Sequence, residues 1–291
     1  MAPSSYQDVL KLAKENKCEF IDLKFIDLPG TWQHYTLPIK ELADLFENGN
    51  GFDGSSIRGF RAIHESDMLL FADPTTAIVD PVLSPSTLSL ICDVKDPVDG
   101  KDYDRDPRYV SRKAEAYLKT TGIADTSYWG PELEFFIFNS IAFNTNSHES
   151  FYSIDSQEGI WNSGDTSEPN LGYRPRHKEG YFPCPPTDQM HDIRTKITQK
   201  MVAGGIDIEK HHHEVATGGQ VEFGMRFNTL LKQADSVMLY KYIAKNVAYR
   251  TVIPLRSCPS RFSRITVPAC MFINPCGREI LTNSSMPRVT A

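Results

Sequence analysis

KHHHEVATGGQVEFG (210–224) is the stretch on which the reading of this chain turns. ATGG (216–219) carries turn chemistry, so two strands are predicted on either side of it, around 206–216 and 220–227. Three histidines run into Glu214, and Glu222 follows eight residues later. Residues flanking such a turn come to lie across from each other, so Glu214 and Glu222 are compatible with one shared site. Neighbouring strand residues face opposite ways. His211, His212 and His213 therefore do not all enter one site, and a solvated or structurally bonded role is expected for at least two of them. A zinc protease would need HExxH on a helix, and HHHEV has no second histidine at that spacing.

A second carboxylate pair lies upstream in GPELEFFIF (130–138). On a strand, Glu132 and Glu134 share a face. Their neighbours Leu133, Phe135 and Phe136 are apolar, which marks a buried strand. Two like charges there repel and lose hydration. A divalent cation removes both penalties, while arginine partners or a polar barrel mouth are the alternatives. Four glutamates on strands offer oxygen ligands, which favour Mg²⁺ or Mn²⁺ over Zn²⁺. Two such ions suit phosphoryl transfer.

Outward from these strands the pattern is α+β. Tyr6, Val9, Leu10 and Ala13 recur at helical spacing. Ile21, Leu23 and Phe25 alternate with Asp22 and Lys24, predicting a half-buried strand. DLPG (27–30) turns the chain into TWQHYT, predicting a hairpin. A helix around 39–48 and strands at 68–73 and 88–94 complete a small α+β unit. DRDPRY (104–109) marks a boundary, followed by a helix to about 120 with Val110, Ala114 and Tyr117 facing inward. Residues 139–180 read as a long surface excursion. Helices are predicted over 187–203 and 230–249.

Composition narrows the function. The 291 residues carry a formal charge of −6, against a protein that works by neutralising nucleic-acid phosphates. No apolar run is long enough to span a membrane, and no secretory signal is visible. The six cysteines form no CxxC pair, which points to reduced thiols in a cytoplasmic setting. No Walker A motif occurs. FDGSS (52–56) reads on its own as a surface turn carrying one carboxylate, Asp53.

Taken together, GFDGSSIRGF (51–60), ESDMLL (65–70), DPTTA (73–77), GPELEFFIF (130–138), GYFPCPPTD (180–188), EKHHHEVATGGQVEFGMRFNTL (209–230) and LYKYIAKNVA (239–248) resemble the type I glutamine synthetase family. The resemblance covers residues 5 to about 249. It implies a β-grasp N-terminal domain (1–103) and the first part of a catalytic α/β half-barrel (104–250), with 251–291 as an aberrant tail lacking regular structure. It implies a glutamate–ammonia ligase that uses ATP and passes through γ-glutamyl phosphate. Glu134, Glu214 and Glu222 would hold one metal and Glu132 the second. Glu209 and His212 would serve the ATP site, and Phe227 would pack near adenine. Asp53 and Ser56 would lie in the ammonium loop, and the subunits would stack as rings. Gly219, Val221, Arg61 and His64 depart from the family pattern without removing any of these ligands. The alternatives are a non-catalytic assembly partner of intact synthetase and a related γ-glutamyl amine ligase.

After about Tyr249 the resemblance stops. Residues 251–291 hold five arginines, no lysine and one acid, Glu279. One choice of synonymous codons for SRITVPACMFINPCGR (263–278) reads QDNGSGMHVHQSLWK in a shifted frame, which is the string expected of the family. A frameshift near 249–253 is therefore expected. Sequencing the coding DNA there decides it, and failure of any indel to restore that string refutes it.

Overall fold

Strands β1 (Phe20–Ile26) and β2 (Trp32–Pro38) form the predicted hairpin, closed by the turn at Asp27–Gly30. Asp27 accepts from the Thr31 amide at 2.7 Å, and Gly30 has φ +79°, a conformation that glycine adopts without strain. The computed structural model describes residues 3–167, 172–252 and 278–282. They divide into two compact units: residues up to Trp129 with Asn228–Met238 and Glu279–Thr282, and the described residues of Gly130–Phe227 with Leu239–Val252 and Arg278.

In the first unit, α1 (Tyr6–Glu15) starts at a capping box in which Ser5 and Asp8 satisfy each other's amides. α2 (Leu42–Asn48) follows a short 3₁₀ turn. β3 (Asn50–Asp53), β4 (Asp67–Ala72), β5 (Ile78–Val79) and β6 (Thr87–Lys95) complete a six-stranded β-grasp sheet of order β2-β1-β6-β4-β3, with β5 beside β6. β1 and β6 run parallel. Ile21, Leu23 and Phe25 join Val9, Leu45, Leu70 and Leu90 in the core. β1 is buried on both faces, not one. On its other face the Lys24 ammonium reaches Asp22 (2.5 Å), Asp80 (3.1 Å) and Ser89 (2.6 Å), so its charge is paired and hydrogen-bonded.

The helix predicted after DRDPRY is α3 (Pro107–Thr121), capped by Asp106 and ended by left-handed Gly122. Its inward face differs from the expectation: Val110, Ala114 and Tyr117 are exposed. Arg108 is buried instead, pairing with Asp93, with Asp73 at 2.8 Å and with Asp235 at 2.9 Å. β7 (Thr126–Gly130) follows α3.

The second unit is a curled half-barrel sheet with its helices. β8 (Glu132–Phe136) comes first. The excursion at 139–180 contains a hairpin that its pattern did not predict, β9 (Ser140–Thr145) and β10 (Ser150–Asp155). Its aromatic residues Phe143, Phe151 and Tyr152 are exposed, so no core-facing alternation marks it. α4 (His191–Ala203) packs on β11 (Ile208–His213), which pairs with β12 (Gln220–Met225), giving the antiparallel order β11-β12-β8.

β13 (Asn228–Thr229) pairs β7 in the first unit and leads into α5 (Leu230–Val252). The tail reading at 251–291 lies outside the described residues except at 251–252 and at β14 (Arg278–Thr282), a strand where the sequence pattern indicated no regular element. Among the described residues no helix is long and apolar enough to cross a membrane.

Candidate metal centre

Strand alternation builds this site. On one face of the second unit's sheet, Leu133, Phe135, Val221 and Phe223 are buried. Phe135 stacks on Phe223 with centroids 5.7 Å apart, and the edge of Tyr240 packs against both. The Tyr240 hydroxyl donates to the Leu133 carbonyl at 3.2 Å. The opposite face then has to carry the polar residues. The register sets Glu134 opposite Glu222 and Glu222 opposite His212, one row across three strands. In the next row Glu132 stands opposite Gly224.

His212, Glu214 and Glu222 converge, each offering an atom within 4.8 Å of the others. His212 Nε2 is 3.5 Å from Glu222 Oε2, and His212 Nδ1 is 4.0 Å from Glu214 Oε1. Burial, then the Glu214 hydrogen bond and charge, push the Glu222 carboxyl up to about 7. Glu134 is also raised, first by burial and then by the Glu214 charge. Burial holds His212 below its ordinary value, so its imidazole is neutral and suited to ligation. His212 Nε2 is buried without a hydrogen-bond partner. A buried nitrogen lone pair beside mutually repelling carboxylates fits a divalent cation.

The sequence reading placed His212 at the nucleotide and grouped Glu134 with Glu214 and Glu222. In the structure His212 itself closes on Glu214 and Glu222. Glu134 stays in the same row, and its Oε2 accepts from the Gln220 amide at 2.8 Å. Glu132 is exposed. Glu209 forms an ion pair with Arg226, its Oε1 3.4 Å from Nε, and Phe227 is exposed. Asp53 and Ser56 lie in the first unit. There Asp53 accepts from the Ser55 hydroxyl (2.6 Å) and amide (2.9 Å) and from the Ser56 hydroxyl (2.8 Å), and these bonds hold its carboxyl below the ordinary range.

The three histidines separate as alternation requires. His211 and His213 face away from the carboxylate row. His211 Nδ1 accepts from Arg194 Nε at 3.3 Å, and Arg194 forks onto Asp188 at 2.9 and 2.5 Å. His213 Nδ1 donates to the Glu214 carbonyl at 2.6 Å, and its Nε2 is 3.1 Å from Glu158 Oε2. Burial pulls His213 down, but the Glu158 hydrogen bond and charge outweigh it, leaving the imidazole above its ordinary value. Sequence reasoning missed Glu158, Asp188, Arg194 and Gln220.

GYFP (180–183) crosses beside this layer. The Gly180 amide donates to the Val215 carbonyl at 3.0 Å. A Cβ on Gly180 would lie 2.9 Å from the carbonyl oxygens of both Glu214 and Ala216, so only glycine fits that approach. Tyr181 and Phe182 stack at 3.9 Å, and the Phe182 ring meets His212 edge-on at 4.5 Å.

Residues 17–97 match the family described as "Glutamine synthetase, beta-Grasp domain", and residues 104–254 match "Glutamine synthetase, catalytic domain". The chain is 54% identical over 246 residues to a glutamine synthetase of Nostoc sp., an alignment that covers 83% of this chain and 52% of that protein. It is 51% identical over 243 residues to the Aquifex aeolicus glutamine synthetase, covering 83% and 51% respectively. Its fold is similar to that of Plasmodium falciparum glutamine synthetase, with a TM-score of 0.76 and 26% identity over 87% of this chain and 50% of that one. The chain thus spans about half the length of the curated relatives it matches.

Proposed function

The chain belongs to the glutamine synthetase family, and we propose from that premise that it carries part of a two-metal glutamate–ammonia ligase site. The reaction joins ammonia to glutamate through γ-glutamyl phosphate, with ATP giving the phosphoryl group and leaving as ADP. The observation that carries this reading is the convergence of His212, Glu214 and Glu222 around a buried, unpartnered Nε2. Glu214 and Glu222, with Glu134 in the same row, are the proposed ligands of one Mg²⁺ or Mn²⁺, and Glu132 of a second. His212 stands where it can join the first set or turn to the nucleotide. When bound, the ions neutralise phosphate charge during phosphoryl transfer.

Glu209 and Phe227 are assigned to the nucleotide, and Asp53 and Ser56 to ammonium. A carboxylate at that position favours NH₄⁺ and can take its proton, leaving nucleophilic NH₃. The hydrogen bonds that keep Asp53 ionised support the holding of NH₄⁺. Residues 1–103 and 104–250 are taken as the two domains, within cytoplasmic stacked rings as the family resemblance implies. The 291-residue chain alone is expected to show negligible glutamine synthesis, because residues 251–291 do not carry the family's later histidine and arginines. Robust ATP-dependent synthesis by the purified chain would refute that.

The metal assignment is tested by Mn²⁺ titration followed by electron paramagnetic resonance. Wild type is expected to bind, and Glu214→Gln is expected to bind at least about tenfold more weakly, since a neutral amide replaces an anionic ligand. Equal binding by both proteins overturns the assignment.

A further inference from the structure

Behind the carboxylate row lies a buried side chain that the ligase reading does not use. Glu158 comes from the 3₁₀-flanked segment after β10 and is 0% exposed. A buried carboxylate is costly unless every acceptor position is used. Here Oε1 accepts from the Gln189 amide and Oε2 is 3.1 Å from His213 Nε2. The Glu158 backbone carbonyl also accepts from the Thr217 hydroxyl at 3.2 Å and from the Gly218 amide at 3.4 Å. Three separate stretches of chain are thereby tied at one residue: 156–162, 180–190 and the turn after β11.

The line continues to the metal face. His213 is also buried, and a carbonyl can only accept, so its Nδ1 carries the proton that bonds Glu214 O at 2.6 Å. Glu214 is held again through its amide, which donates to Gln220 O at 2.9 Å. Its side chain then emerges on the opposite face, among the converging groups. Glu158 therefore fixes the ring of His213, and His213 fixes the peptide that carries Glu214. Arg194 occupies the same buried layer but bonds His211 and Asp188 instead of the Glu214 peptide.

We propose that Glu158 is a positioning residue for the metal centre, acting through His213 on the main chain of Glu214. This rests on the reading of Glu214 as a metal ligand. Groups behind first ligands typically change metal affinity by about 10–100-fold when removed.

The test is Mn²⁺ affinity of the whole chain, followed by electron paramagnetic resonance well below the thermal midpoint of each variant. Glu158→Ala is expected to weaken binding at least about tenfold. Glu158→Gln can still accept from Gln189 and donate to His213, and is expected to stay within about threefold of wild type. Arg194→Met removes an equally buried group in the same layer and is expected to destabilise the chain while changing Mn²⁺ affinity less than about threefold. If Glu158→Ala does not fold, His213→Gln replaces it. That amide still reaches Glu158 but leaves the Glu214 carbonyl without its donor, so the same tenfold loss is expected. Unchanged affinity in whichever of these two variants folds, or equal losses in it and Arg194→Met, overturns the positioning role. Failure of wild type to bind Mn²⁺ overturns the metal centre itself, a distinguishable result.

Discussion

His212 and Glu222 face each other across β11 and β12, with Nε2 3.5 Å from Oε2 and no hydrogen bond to satisfy the nitrogen. The conflict at this site lies between the carboxylates, since, after burial, Glu214 and Glu134 both raise Glu222. Burial keeps the imidazole neutral, and burial with Glu214 keeps a proton on Glu222 up to about pH 7.

Cation binding has to displace that proton. His212 is already neutral at pH 7, so it contributes no competing proton there. Mn²⁺ affinity is therefore expected to level off above pH 7 and to fall below it, by up to about tenfold per pH unit for one displaced proton. Titrations at pH 6, 7 and 8 check this, and a flat profile would show that Glu222 is ionised before the cation arrives.

The same shift sets a stability cost. Glu222 has an ordinary value of 4.5 and is raised to about 7 in the folded chain. The folded state thus binds more protons between these values, and stability contributed below pH 4.5 is lost as pH rises through 7. Glu222→Gln is expected to stabilise the metal-free chain at pH 8 by on the order of 1 kcal/mol, and to make no such difference at pH 4. Urea unfolding at both pH values measures it. A variant less stable than wild type at pH 8 would mean that the carboxylates are not in conflict.

Arg108 carries the opposite balance. It is 1% exposed in its side chain and pairs with Asp73, Asp93 and Asp235, joining α3 and the start of α5 to β6 and the end of β4 within the first unit. Removing it strands three partly buried carboxylates. Arg108→Met is expected to cost about 3–5 kcal/mol in urea unfolding at pH 7. A loss under about 1 kcal/mol would place the arginine among dispensable ion pairs.

Arg108 also shows where sequence legibility ended. The strand carrying Glu134 was readable from the apolar residues around it, that carrying Glu222 from the alternation of Val221, Phe223 and Met225, and ATGG marked the turn between β11 and β12. α3 was misread on its face because helical spacing of Val110, Ala114 and Tyr117 normally means a core stripe. Here the inward face is made by Arg108 and Arg112 on Asp93, and a hydrophobic pattern has no view of charges neutralised by distant residues. Glu158 was invisible for a related reason. Its partner His213 is 55 residues away, and an isolated glutamate in a polar excursion carries no local sign of burial. His212 was singled out of the triplet through the resemblance, and its two-residue offset from Glu214 puts both on one face of the strand.

Gly180 joins packing to the site most directly. Its missing side chain lets the 180–183 segment lie against the Glu214 and Ala216 carbonyls, and a Cβ there would stand 2.9 Å from both oxygens and 3.0 Å from the His213 ring. All of these neighbours are tethered: His213 by Glu158, and Glu214 and Ala216 by Gln220. Relief has to come from moving backbone. Gly180→Ala is expected to cost about 1–3 kcal/mol. Because the displaced peptide carries Glu214, it is also expected to weaken Mn²⁺ binding at temperatures where the variant remains folded. Gly51→Ala is the control, since its Cβ would meet nothing within 4 Å. Destabilisation in Gly180→Ala with wild-type Mn²⁺ affinity would show that the segment moves away as a unit and leaves the Glu214 peptide in place.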